Sequence, residues 1–327
     1  MATRTRYAPD RGLTARMTVT MFLLGLVFVG FVAALIGILA ATKQSAGFII
    51  FVAIVFGGGA AVISLFYSDK IALAAAGARV VTPQQAPELH GIVDRLCALA
   101  DMDKPRVAIA PTRMANAFAT GRNSKNSVLC VTQGMLSPQL GLTKEELEGV
   151  LAHELSHVAH KDVQVMTVAG LLGITAGLLV RFAFYSELFG GGRRGGNNGN
   201  AALLIPLIML VSIVVYAISF VLIRMLSRYR ELAADRSGAL LTGQPSALAS
   251  ALTKVSTSMS KIPNEDLRKA APMSAFYFAP AMSLHGNGGD KLANLFSTHP
   301  SLDKRIAQLA KIQAQLNDTT PGAKGLK

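Results

Sequence analysis

The sequence predicts a mostly helical α+β protein: a water-facing domain with a small β-sheet, fused to four transmembrane helices. Three observations carry this. Hydrophobic residues fill 51% of the 327 positions and charged residues only 16%, so uncharged runs long enough to leave water are required. Four such runs are present, in two closely spaced pairs. Between and after the pairs the pattern changes to amphipathic helices and short β-prone runs, as in a globular core.

Residues 1–16 form a short tail carrying Arg4, Arg6, Arg11 and Arg16. The run 17–41 has no charge. As a helix it measures about 37 Å, more than the ~30 Å hydrocarbon core. A second uncharged run, 46–67, follows after Thr42–Ser45, so 17–67 reads as a tight transmembrane hairpin. A cleaved signal peptide is excluded, because the first run is too long and a second span follows at once. The other pair is 163–185, interrupted by Arg181, and 201–226, apolar as far as Arg224. Both arginines lie near span ends, where long side chains reach the headgroups. The run 163–180 carries Gln164 and is the weakest, with a buried core helix as the competing reading. GGGRRGGNNGN, residues 190–200, is a flexible turn between them. The remaining segments, 68–162 and 227–327, form the two halves of the water-facing domain.

Orientation follows from lysine and arginine in the flanks. Arg4 to Arg16 precede the first span, while only Lys43 marks its hairpin tip. The N-terminus and both halves of the soluble domain are therefore expected on the cytoplasmic side of a cell membrane. Arg193 and Arg194 oppose this, outweighed by Arg224, Arg228 and Arg230 together with the N-terminal group. The net charge of +13 is spread over these flanks without an RNA-binding motif, so no nucleic-acid partner is expected. The two cysteines, Cys97 and Cys130, make neither a disulfide framework nor a thiolate metal site. Each is expected as a small buried hydrophobe in a reducing compartment.

In the first soluble half, residues 87–102 have helical spacing through Leu89, Ile92, Val93, Leu96 and Leu99. His90 on this helix is expected at the surface or as a cap. Short β-like runs follow at Arg106–Ala110, Asn116–Thr120 and Ser127–Thr132, parted by turn residues. Next comes EELEGVLAHELSHVAHKD, where Thr143 and Glu146 form a capping box that starts a helix. On that helix His153 and His157 are i and i+4 and share a face. Leu147, Leu151, Leu155 and Val158 form the opposite stripe, expected to be the buried side. Two imidazoles so placed suit Zn2+, and Glu154 can serve a water there as general base. An HExxH pattern also arises by chance on amphipathic helices, so its context decides.

A catalytic zinc site wants a third protein ligand. His160 lies a further turn along and is expected as a polar surface residue. It also stands where the metzincin pattern needs Gly, with Val163 where that pattern needs His. His285 and His299 lie in less regular sequence. Glu231, in SRYRELAADRSGALL, follows the fourth span as the HExxH helix precedes the third, so the hairpin returns it to the same membrane face. Asp235 is i+4 from Glu231 and can accept the spare N–H of a ligating histidine. The residues equally allow a charged helix end in which Glu231 pairs with Arg228 or Arg230.

HELSH, an apolar hairpin and then RELAAD resemble the membrane-bound metalloproteases of peptidase family M48, most closely its bacterial heat-shock branch. MANAFATG at 114–121, VTQGML at 131–136 and FSTHPSLDKRI at 296–306 agree, so the resemblance covers nearly the whole chain, span order included. It implies a gluzincin-like fold with one Zn2+ held by His153, His157 and Glu231, Glu154 as the base, and Asp235 as a supporting carboxylate. It also implies that Asn116, Ala117, Phe118 and Ala119 form an edge strand for the substrate backbone. His299 would donate to the developing oxyanion, with Arg305 as a structural group or carboxylate clamp. The implied activity is endoproteolysis of polypeptides, misfolded membrane proteins among them, at the bacterial inner membrane. A prenyl-protein protease of the same family is the alternative, although those chains carry more than four spans. A non-catalytic zinc scaffold would have no need of Glu154, and a transporter would need ionisable pairs in mid-span, which these spans lack.

Overall fold

The computed structural model describes residues 11–42, 47, 59–189, 204–261 and 299–319. Its helices α1 (Arg11–Thr42), α2 (Gly59–Ala76) and α3 (Pro87–Ala100) are followed by the HExxH helix α4 (Lys144–Ala159). Then come α5 (Asp162–Phe189), α6 (Leu204–Thr242), α7 (Pro245–Ser260) and α8 (Leu302–Thr319). Among the described residues three helices are long and apolar enough to cross a membrane, over Arg11–Ala41, Asp162–Tyr185 and Leu204–Thr242. The second expected span, 46–67, lies largely outside the described residues. Its described end belongs to α2, which runs on to Ala76 rather than stopping at 67.

The chain divides into two compact units. One comprises Ala15–Leu65 and Gln164–Leu226. Its interior includes Leu24, Phe31, Leu35, Leu172, Leu179 and Val215, and the Ser64 and Thr167 hydroxyls hydrogen-bond at 2.8 Å. Its outward side chains include Phe22, Phe28, Phe184 and Leu210, all exposed. Such an apolar exterior is stable only against lipid or another apolar surface.

The other unit comprises Met1–Thr14, Phe66–Val163 and Ser227–Lys327. Its sheet contains β1 (Arg79–Val80), β2 (Arg106–Ala110), β3 (Ala117–Gly121) and β4 (Ser127–Thr132) in the order β1-β2-β4-β3. β2 and β4 are parallel, the other pairs antiparallel, and β3 forms an edge among the described residues. Period-two alternation sends Val107, Ala117, Leu129 and Val131 to one face with α3, α4 and α7. Ala108, Ala110, Phe118, Val128 and Cys130 go to the other, against Ala72 of α2. β4 is buried on both faces. Both cysteines are buried and free, and burial pushes their thiols up to about 11 and about 12, which keeps them unreactive. His90 is buried as well, its Nε2 3.1 Å from the Val81 carbonyl. The expectation of a surface or capping role is thus corrected: the ring ties α3 to Val81, directly after β1.

The start of α4 is as its sequence predicts. Thr143 Oγ1 accepts from the Glu146 N–H at 3.2 Å, and Glu146 Oε2 accepts from the Thr143 N–H at 2.7 Å. Glu146 also accepts from Ser250 and Lys254, which joins this cap to α7. The rest of α4 departs from the one-sided pattern. Every residue from Glu148 to Ser156 is buried, because α6, α7 and the sheet enclose the helix. Gly238 shows how closely α6 approaches: a Cβ there would lie 2.8 Å from the His153 backbone nitrogen. Nor does α4 run straight into the membrane helix. Lys161, with φ 56°, breaks the backbone and α5 starts afresh at Asp162.

Candidate metal centre

The capping box fixes where α4 begins, and helical period then brings His153 and His157 to one side of it. Their rings stand edge to face with centroids 4.8 Å apart, and their Nε2 atoms are 3.1 Å apart. Glu231 enters from α6, with its carboxylate oxygens 3.7 Å from His153 Nε2 and 3.5 Å from His157 Nε2. These three side chains form a cluster whose ligand atoms all lie within 4.8 Å of one another.

The far side of each ring explains what the near side offers. His153 Nδ1 lies 2.9 Å from Asp235 Oδ1, and His157 Nδ1 lies 2.5 Å from Asp162 Oδ2. With Nδ1 beside a carboxylate, each ring turns its Nε2 inward, where the neutral imidazole offers a lone pair. Two lone pairs and the Glu231 carboxylate then converge, three acceptors that a cation satisfies. A tetrahedral zinc with bonds of about 2.0–2.1 Å holds its donors roughly 3.3–3.4 Å apart. The observed separations of 3.1, 3.5 and 3.7 Å bracket that value, so the residues fit such an ion.

The surrounding groups are buried and charged. Arg305 of α8 grips Asp235 with two hydrogen bonds, Nε to Oδ2 at 2.7 Å and Nη2 to Oδ1 at 2.6 Å. Arg230 Nη2 donates to Asp162 Oδ2 at 2.7 Å. His299 Nδ1 lies 3.0 Å from Glu231 Oε2. Burial alone opposes charge on His153, but Asp235 and Glu231 outweigh it and raise the metal-free imidazole to about 9. Burial pushes the Glu154 carboxyl above its ordinary range, against the pull of His153 and His157. Glu154 Oε2 accepts from the backbone N–H of Ala119 on β3 at 3.0 Å.

The structure therefore brings together His153, His157, Glu231, Glu154, Asp235, His299, Arg305 and Ala119. Of the other strand residues, Ala117 faces the core beneath the sheet and Phe118 faces α2 on the opposite side. Asn116 is buried just before β3, its backbone N–H donating to Thr132 Oγ1 at 2.9 Å. His160 is half-buried at the C-terminus of α4, with Nε2 3.2 Å from Ser237 Oγ. That corrects its expectation as a surface residue, since α6 packs over it. His285 lies outside the described residues. The pairing of Glu231 with Arg230 is replaced by Arg230 with Asp162. Asp162 escaped the sequence reading, and Arg230 entered it only as a flank charge and a partner for Glu231. Their only sequence signal was an acidic residue opening a helix and one more arginine in a basic flank.

The description Peptidase family M48 matches residues 83–313. The chain belongs to this family. Protease HtpX homolog 1 of Streptomyces coelicolor is 55% identical over 321 residues, 98% of this chain and 99% of that one. Protease HtpX homolog of Moorella thermoacetica is 46% identical over 316 residues, covering 96% and 99%. The crystal structure of S. mikatae Ste24p is similar with a TM-score of 0.56 at 15% identity, over 90% of this chain and 67% of that chain. At that identity the likeness is one of fold. M48 membership, the HtpX relatives and the long apolar helices make the protein a membrane-bound metalloprotease.

Proposed function

We propose that the protein is a zinc-dependent endopeptidase that cuts misfolded or damaged membrane proteins at the cytoplasmic face of the cell membrane. The observation that carries this is the convergence of two imidazole lone pairs and one carboxylate beside a buried general base. In this reading His153, His157 and Glu231 hold one zinc ion. Zinc there would polarise the scissile carbonyl and make the attacking water more acidic.

The chain's own residues do the rest. Glu154 takes the proton of the water and delivers it to the leaving amine. Its bond from the Ala119 N–H holds one carboxylate oxygen still, and burial raises its proton affinity towards what a base needs near neutral pH. Among the described residues β3 has a strand partner on one side only, and the segment Asn116 to Ala119 is read as taking an extended substrate along the other. His299 orients Glu231 and is the donor assigned to the developing oxyanion, which its burial beside the ligands supports. Asp235 sets the ring of His153. The cytoplasmic assignment rests on the N-terminal arginines with Arg224 and Arg228. Arg230 drops out of that count because it is buried against Asp162.

The test uses full-length protein in detergent, with zinc content and casein or self-cleavage measured with and without chelator. Glu154→Gln should keep zinc and lose cleavage, and Glu231→Ala should lose zinc. Wild-type cleavage in the first, or full occupancy in the second, would overturn the assignment.

A further inference from the structure

Each of the two histidines at the centre sets Nδ1 beside a carboxylate that an arginine holds. His153 points Nδ1 at Asp235, which Arg305 holds, and His157 points Nδ1 at Asp162, which Arg230 holds. The second arrangement comes from different elements. Asp162 is the first residue of α5, and Arg230 precedes Glu231 on α6. Both are shielded from water, with side-chain exposures of 4% and 12%, so their attraction is little screened.

The backbone makes this contact possible. In an unbroken helix a residue five positions after His157 would point about 140° away from it. Here α4 ends at Ala159, Lys161 takes a left-handed conformation with φ 56°, and Asp162 swings back beneath the His157 ring. Arg230 Nη2 meets the same carboxylate oxygen, Oδ2, that faces His157 Nδ1. The guanidinium thus fixes the position of the very atom that orients the imidazole.

We propose that Asp162, clamped by Arg230, is the positioning residue for His157: it accepts the Nδ1 proton and so aims the Nε2 lone pair at the point shared with His153 and Glu231. This rests on reading His157 as a metal ligand. The plainer role for Asp162 is a negative charge at the start of α5, favourable to the helix dipole. That role affects stability and leaves metal affinity alone.

The experiment reads metal binding. Full-length Asp162→Asn, Arg230→Met and the double variant are purified in detergent. Zinc affinity is measured by competition with a chromogenic chelator, the visible bands of the cobalt-substituted proteins are recorded, and the metal-free forms are melted. Asp162→Asn should bind zinc about 10–100-fold more weakly and shift the cobalt bands. The double variant should be no weaker than Asp162→Asn, because Arg230 acts through Asp162. Wild-type zinc affinity in Asp162→Asn, or a lowered melting temperature with unchanged zinc and cobalt signals, would overturn the proposal. Should Asp162→Asn fail to fold, Asp162→Glu decides, since it keeps the charge but moves the carboxylate by one methylene. Altered cobalt bands then support the role, and unchanged bands and affinity refute it. His157→Ala separates the two levels: full zinc affinity there would mean that the ligand set is wrong.

Discussion

Replacing Arg305 with Met tests how the buried charges hold the centre together. Arg305 is 1% exposed and Asp235 is fully buried. Two hydrogen bonds of 2.6 and 2.7 Å join them between α8 and α6. Methionine fills much of the volume and removes only the charge and its donors. Asp235 is then a carboxylate in a dry site that has lost its main counter-ion. Removing one partner of a buried ion pair costs about 3–5 kcal/mol. His153 remains 2.9 Å away as a second partner, which places the expectation near the lower end, about 3 kcal/mol. For a unit of 150–250 residues that is a fall of roughly 6–12 °C in melting temperature. The assay is thermal unfolding of the metal-free protein followed by circular dichroism. Asp235→Asn with Arg305→Met should be less destabilised than the two single losses added together, because the cost is the orphaned charge. A melting temperature within about 2 °C of wild type in Arg305→Met, or simple additivity, would refute the reasoning.

Three further outcomes are expected. Gly238→Ala places a methyl 2.8 Å from the His153 backbone, so it should cost about 1–3 kcal/mol and weaken zinc binding by moving α4 from α6; a variant matching wild type in both measurements would show that the contact yields freely. Metal-free protein should lose stability as pH rises from 6.5 through about 9, because folded His153 binds a proton more tightly than the unfolded ring; stability that is flat or rising over that window in chelator would remove Asp235 and Glu231 as the cause. Reporter fusions after Gly77 should read cytoplasmic and those within 190–200 external, and the opposite pattern would reverse the orientation.

What was legible in the sequence was local or periodic. The capping box at Thr143 and Glu146, the shared face of His153 and His157, the apolar runs and the short β-like runs 106–110 and 127–132 depend on residues a few positions apart. Glu231 and Asp235 were reachable only as candidates, since a membrane hairpin separates them from α4 in the chain. Tertiary structure decided the rest. It buried α4 on all sides from Glu148 to Ser156, where its pattern promised one side, because α6 comes in at Gly238 and α7 at Gly149. It turned His90 and His160 inward, since the elements that cover them lie elsewhere in the sequence. It drew Arg230 away from its neighbour Glu231 and onto Asp162, which a break at Lys161 had swung towards His157. A side chain's helical face follows from its own segment; the charge it meets there depends on which distant helix docks against that face.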